Sequence, residues 1–273
     1  MLAGALVDLI YKWVQNRGIN VATFVLYQAT TFTITLWVIA GIFGYISVIT
    51  PTTWFYGLPL GASGYIGIVL FVASLKEGNG SINAPIFRLS FVITAILSFF
   101  FLNEAVTLFK AFGILLAVVA VLSLADLSLF TKSQAQLHSL ICVFIAMFVF
   151  GITFTFAKQA MNQGVDPIPL LLVQTITFTA SAFVYMFVTR GFRLPNRITL
   201  QFAPLAGVLQ LTWSFLLFQA LHHGQVSISF PIVQLSFVLT AILAVVFLRE
   251  RASRSLFVGL ATASMSVIAF ALA

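Results

Sequence analysis

The sequence predicts an all-α integral membrane protein: ten transmembrane helices in two inverted five-helix repeats, the first helix short or truncated. Three observations lead there. Of 273 residues, 61% are hydrophobic and 7% charged, with a mean hydropathy of +1.13, whereas soluble domains carry about 25% charged residues. The apolar residues gather into ten runs near the length a bilayer requires. The chain also repeats itself, without a gap, at an offset of 146 residues.

The repeat is read residue by residue. Leu89-Ser90-Phe91-Val92-Ile93-Thr94-Ala95-Ile96-Leu97 returns 146 positions later as Leu235-Ser236-Phe237-Val238-Leu239-Thr240-Ala241-Ile242-Leu243. The same offset pairs Gly78 with Gly224, Pro85 with Pro231, Glu104 with Glu250 and Gly113 with Gly259, and further upstream Lys12 with Lys158, Asn16 with Asn162, Gln28 with Gln174 and Thr31 with Thr177. Duplicated halves of this kind place a binding site near the bilayer midplane where the halves meet. The duplication divides the chain into a first repeat, residues 1–130, and a second, residues 131–273.

A helix needs about 20 apolar residues to cross the hydrocarbon core. Candidate spans cover 1–16, 22–46, 53–75, 80–102, 106–126, 137–160, 168–189, 201–221, 226–248 and 253–272. The breaks between them combine Pro or Gly with polar groups, as in Thr50-Pro51-Thr52, Asn162-Gln163-Gly164-Val165-Asp166-Pro167 and Arg190-Gly191-Phe192-Arg193-Leu194-Pro195. The runs are continuously apolar rather than alternating, which argues against a β-barrel. Span one reaches roughly 24 Å at 1.5 Å per residue, against a core of about 30 Å, so a misplaced or truncated start is expected. No basic flank of a signal peptide precedes it.

Five spans per half is an odd number, so the second half enters from the opposite face and the repeats are inverted. The formal charge of +7 is sparse and lies between apolar runs, which argues against nucleic acid as a partner and for membrane orientation. Lys12, Arg17, Lys76, Lys132, Arg190, Arg193, Arg197, Arg249, Arg251 and Arg254 fall on one face, and Lys110 and Lys158 on the other. The first face is then cytoplasmic and both termini outside.

The pattern Gly-x-x-Ser-x-x-x-Pro-(x)3-Leu-Ser, followed by Phe-Leu-x-Glu and a Gly nine residues later, occurs twice: Gly78, Ser81, Pro85, Leu89, Ser90, Leu102, Glu104 and Gly113, then Gly224, Ser227, Pro231, Leu235, Ser236, Leu248, Glu250 and Gly259. It resembles the EamA-type drug/metabolite transporters, and the resemblance extends over the whole chain. What it implies is a ten-helix permease of the plasma (inner) membrane of a bacterium, moving small polar metabolites, amino acids or toxic compounds, often outward. Relatives commonly look N-in with a basic connection between helices two and three. Here that connection, residues 47–52, is uncharged.

Arg88 is the sharpest candidate for a substrate contact. It lies roughly 12 Å into span four, its repeat mate is the neutral Gln234, and an Arg so deep needs a partner within the bundle. Asp8, at the same estimated depth in span one, is the candidate partner, and its mate is the apolar Phe154. The two read as a carboxylate clamp with a proton-sensitive neighbour, as a permanent ion pair, or as residues on helices that do not adjoin. Lys12 and Lys158 read as snorkelling side chains or a cavity rim. Gln28 and Gln174 read as substrate contacts or as hydrogen-bonded helix glue. Ser90 and Thr94, like Ser236 and Thr240, run at i, i+4 down one helix face, as a cavity lining or a packing seam. Tyr65, Gln210 and Trp213 are candidate walls of the cavity. Glu104 and Glu250, at span ends, read as caps.

Nothing in the sequence suggests a cofactor or an enzyme. The His222-His223 pair and the single Cys142 form neither a metal set nor a triad, and there is no nucleotide-binding loop. Partners are membrane lipid and a small-molecule substrate. The alternative reading is a non-transporting membrane subunit of a lipid- or glycan-handling assembly.

Overall fold

The computed structural model describes residues 1–15, 17, 20–77, 80–123, 134–189, 194–248 and 254–273. Among these the chain is helical, in the order α1 (Leu2–Gln15), α2 (Val21–Ile42), a 3-10 turn (Tyr45–Val48), α3 (Pro51–Glu77), α4 (Gly80–Arg88), α5 (Ser90–Phe101), α6 (Leu108–Ser123), α7 (Gln134–Asn162), α8 (Pro167–Val188), α9 (Arg197–His223), α10 (Val226–Gln234), α11 (Ser236–Leu248) and α12 (Arg254–Ala271). Six spans are long and apolar, and four shorter apolar stretches complete ten, with α4–α5 and α10–α11 each forming one span. The fold is therefore a ten-span helical membrane protein in two five-span inverted repeats. Phe187 and Leu108 are 86% and 89% exposed, which is tolerable only where lipid, not water, is the solvent.

The breaks have local causes. Gly164 adopts φ +81°, closing α7 with the bonds Gly164 N to Met161 O and Val165 N to Ala160 O, and Pro167 then opens α8 at a position where its missing N–H is not needed. Asn20 caps α2 through its side chain on Thr23 N at 3.0 Å. The predicted second span ran to residue 46, but α2 stops at Ile42, because Gly44 turns left-handed (φ +77°) before the 3-10 turn.

Spans four and nine hold Pro85 and Pro231 inside a helix, where a proline ordinarily kinks it. Each breaks instead four residues later, at Leu89 and Leu235. There i→i−3 bonds enter the ladder: Leu89 N is shared between Ile86 O (3.0 Å) and Pro85 O (3.3 Å), Leu235 N between Ile232 O (3.2 Å) and Pro231 O (3.1 Å), and Val92 N and Val238 N bond Leu89 O (2.9 Å) and Leu235 O (3.0 Å). Neither Asn83 nor Ser227 repairs a proline gap. The Asn83 amide donates to Ser74 O (2.8 Å) and Ser139 Oγ (2.6 Å), and the Ser227 hydroxyl donates to Glu104.

The described chain gathers into two compact units, and each contains spans of both repeats. The first comprises Ile66–Lys158 and His223–Ala273 together with Met1; the second comprises Leu2–Tyr65 and Gln159–His222. In the first unit α6 packs along α12. Gly113 lets the backbones close, because a Cβ there would meet the Phe270 ring at 2.9 Å, and Ser266 Oγ donates to the Gly113 carbonyl at 2.7 Å. The rings of Phe71, Phe87, Phe150, Phe154 and Phe230 run in sequence with centroids 4.3–5.8 Å apart. In the second unit α2 packs on α8, tied by Trp37 Nε1 to Leu172 O at 3.3 Å and by Thr33 and Thr179, whose hydroxyls lie 2.8 Å apart. Such small-residue and hydroxyl contacts hold helices together where lipid removes the hydrophobic drive.

Candidate functional site

In the first unit the polar cluster forms at the two helix breaks. Arg88 ends α4 and Gln234 ends α10. Arg88 Nη1 donates to Gln234 Oε1 at 3.0 Å, and Gln234 Nε2 donates to Ser90 Oγ at 3.1 Å. Arg88 and Gln234 are repeat mates, 146 positions apart. Sequence reasoning treated the pair as a place where one half differs from the other; the fold brings the two into contact. Gln234, Ser90 and Ser236 are buried.

Repeat symmetry would match the Gln234–Ser90 bond with an Arg88–Ser236 bond. That bond is not made, since the wholly buried Ser236 hydroxyl has no hydrogen-bond partner. An orphan of this kind costs about 1–3 kcal/mol. Thr94, also wholly buried, bonds the carbonyls of Ser90 (3.2 Å) and Gly151 (3.1 Å), joining α5 to α7.

Glu104 follows Asn103, whose φ of 54° turns the chain out of α5. Its carboxylate accepts from Val226 N (2.8 Å), Ser227 N (3.1 Å) and the Ser227 hydroxyl. The residue expected to cap thus closes α10, a helix of the other repeat, where an anion also complements the helix N-terminus. Lys158, half-buried on α7, lies within coulombic reach of Glu104. Glu250 and the side chain of Lys12 lie outside the described residues.

In the second unit Tyr11 donates to Gln28 Oε1, and Gln28 Nε2 donates to the Ala206 carbonyl at 3.5 Å. Gln28 is buried and joins α1, α2 and α9 in the manner of helix glue. Asp8 sits one turn before Tyr11 on α1 and within its electrostatic reach. The equivalent Gln174 has a buried Oε1 without a hydrogen-bond partner. Tyr65 packs edge-on against Phe178 (5.3 Å) and Tyr185 (6.1 Å), and Tyr185 also lines a groove of about 440 Å³ with Thr177 and Ser181. Gln210 Nε2 reaches Ser214 Oγ one turn along α9 at 3.5 Å, and Trp213 is partly buried on the same helix.

Tyr11, Ser74 and Ser139 had no signal in the sequence beyond their polarity within apolar runs. The described residues contain no group of three His, Cys, Asp or Glu suited to a metal.

Comparison with known proteins bears on the whole chain. A solved crystal structure superposes with a TM-score of 0.76, covering 99% of this chain and 98% of its own at 16% sequence identity; at that identity the likeness concerns the fold. No curated protein matches the chain. The profile of the EamA-like transporter family matches residues 1–125 and again 137–272. Two matches in tandem, over a ten-span fold whose repeat mates touch at the helix breaks, leave one conclusion: the chain belongs to the EamA-like transporter family and is a multi-pass membrane transporter of the drug/metabolite superfamily.

Proposed function

We propose that the protein is a secondary transporter of a small polar metabolite bearing a carboxylate, such as an amino acid, working by alternating access of its two repeats, residues 1–130 and 131–273, in a bacterial inner membrane. The observation that carries the reading is Arg88, held by Gln234 at a helix break within span four. An arginine at such depth costs about 2.5–3.5 kcal/mol on insertion scales, and its planar fork of N–H donors matches a carboxylate. On this reading Gln234, bonded to Ser90, and the buried Ser236 and Thr94 supply the polar surroundings. Asp8 is then the proton-sensitive group of the exchange. Lys158 and Lys12 contribute charge near the span ends. Gln174, Tyr65, Gln210 and Trp213 supply amide and aromatic contacts, while Gln28 holds α1, α2 and α9 together.

The test compares metabolite uptake and export in expressing and empty cells at two external pH values, with Arg88→Gln alongside. Selective movement of carboxylates, lost in Arg88→Gln while the protein inserts and stays monodisperse, is the expected result. Transport unaffected by Arg88→Gln would sink the assignment of this site. Absence of any solute movement would favour a non-transporting subunit.

A further inference from the structure

We infer that Gln234 is a built-in occupant of the carboxylate site, which the substrate must displace from Arg88 in order to bind; the inference rests on the carboxylate reading above. Three observations carry it. The Gln234 amide oxygen takes a guanidinium N–H at 3.0 Å, the position one carboxylate oxygen would take. The Gln234 amide nitrogen bonds Ser90 Oγ at 3.1 Å, so its oxygen is held toward Arg88 from behind. The mate of Ser90, Ser236, is wholly buried with its hydroxyl unpartnered, a donor left for a ligand in the half where Arg88 has turned to Gln234.

The chemistry favours exchange in one direction only. An amide oxygen carries a partial charge and a carboxylate oxygen a full one, and bonds between ionised partners are roughly twice as strong as neutral ones. A carboxylate therefore displaces Gln234 and collects the Ser236 hydroxyl as a second donor, whereas a neutral amide of equal size gains nothing over the side chain already present. Gln234 is the last residue of α10, directly before the tightened turn at Leu235. Displacing it unties the end of α10 from the end of α4, so occupancy of the site is read out at both helix breaks. Gln234 sets both the selectivity for anions over neutral isosteres and the apparent affinity, which is lowered by the fraction of protein in which the site is self-occupied.

The experiment titrates the purified protein in lipid nanodiscs with propionate, and separately with propionamide, at constant ionic strength, following the thermal unfolding midpoint. Wild type should respond to propionate and not to propionamide. Gln234→Leu, which empties the position, should bind propionate about tenfold more tightly. Gln234→Glu, which fills it with a permanent carboxylate in the same shape, should bind at least tenfold more weakly. Ser236→Ala should weaken binding severalfold. Should Gln234→Leu fold poorly because Ser90 loses its donor, the isosteric Gln234→Glu decides the matter alone. Unchanged propionate affinity in the Gln234 variants, with binding still abolished in Arg88→Gln, overturns the displacement inference and leaves the carboxylate reading standing. A wild type that ignores propionate, or that responds equally to propionamide, overturns both.

Discussion

The hydroxyls of Thr33 and Thr179 lie 2.8 Å apart, and the two residues are separated by 146 positions. Each is the other's repeat mate. Contacts between repeat mates occur in each compact unit: Thr33–Thr179 in one, Arg88–Gln234 in the other. The contrast between the pairs is chemical. The threonines are identical and share one symmetric bond, with Thr33 also reaching the Thr175 carbonyl at 3.3 Å. At the breaks, Arg faces Gln. One unit keeps a contact between like residues, and the other a polarised one.

The threonine contact should be small and measurable. Interhelical hydrogen bonds in membranes average about 0.6 kcal/mol in double-mutant cycles. Thr33→Val and Thr179→Val, singly and together, should therefore couple by about that amount in reversible unfolding from mixed micelles. A coupling near zero would mean that the hydroxyls do not hold α2 to α8.

Glu104 should matter more. It answers two backbone N–H groups that α10 cannot satisfy itself, plus the Ser227 hydroxyl. Loss of a cap costs about 1 kcal/mol and charge assistance adds to it, so Glu104→Ala should lose about 2–3 kcal/mol. Glu104→Gln keeps an acceptor and should lose about half as much. Thermal midpoints in detergent order the three proteins, and an equal loss in both variants would show that the charge contributes nothing.

The span count, the repeat and the Gly164–Pro167 break were all legible, because each rests on local composition: apolar length, a constant offset, a glycine free to adopt positive φ beside a proline. The contacts were legible only in part. The offset named Arg88 and Gln234 as mates. Which mates touch, however, depends on how helices cross, and sequence does not carry crossing angles. Glu104 reads as a cap from its place at a span end, but its helix lies 122 positions away, beyond any local pattern. Pro85 and Pro231 announced broken helices but not the site of the break, because the tightened turns at Leu89 and Leu235 depend on backbone bonds rather than on a residue type. Tyr11 had no mark at all, since its role is set by the distance to Gln28 across a loop.

Two glycines predict unequal tolerance. A Cβ at Gly61 would meet the Gln174 carbonyl at 2.3 Å and Thr177 Cβ at 2.6 Å, whereas at Gly113 it meets the edge of the Phe270 ring at 2.9 Å. Backbone cannot step aside without moving α8; a ring can rotate or shift. Gly61→Ala should cost about 2–3 kcal/mol, in the range of overpacked interiors, and Gly113→Ala about 1 kcal/mol. Size-exclusion profiles and unfolding midpoints of the two variants check the order, and the reverse order would mean that α3 and α8 approach less closely than the structure has them.

Orientation gives the last prediction. Basic residues between spans seven and eight place that connection in the cytoplasm by the positive-inside rule, and the connection between spans six and seven outside. Cys142 is the single cysteine and is buried on α7, so Cys142→Ala supplies a thiol-free background at little cost. On it, Gln163→Cys tests the connection after α7 and Leu194→Cys the one before α9, both at exposed positions. A membrane-impermeant maleimide should label Gln163→Cys in intact cells and Leu194→Cys only after permeabilisation. The opposite result would place the basic connection outside, and the orientation drawn from charge would have to be reversed.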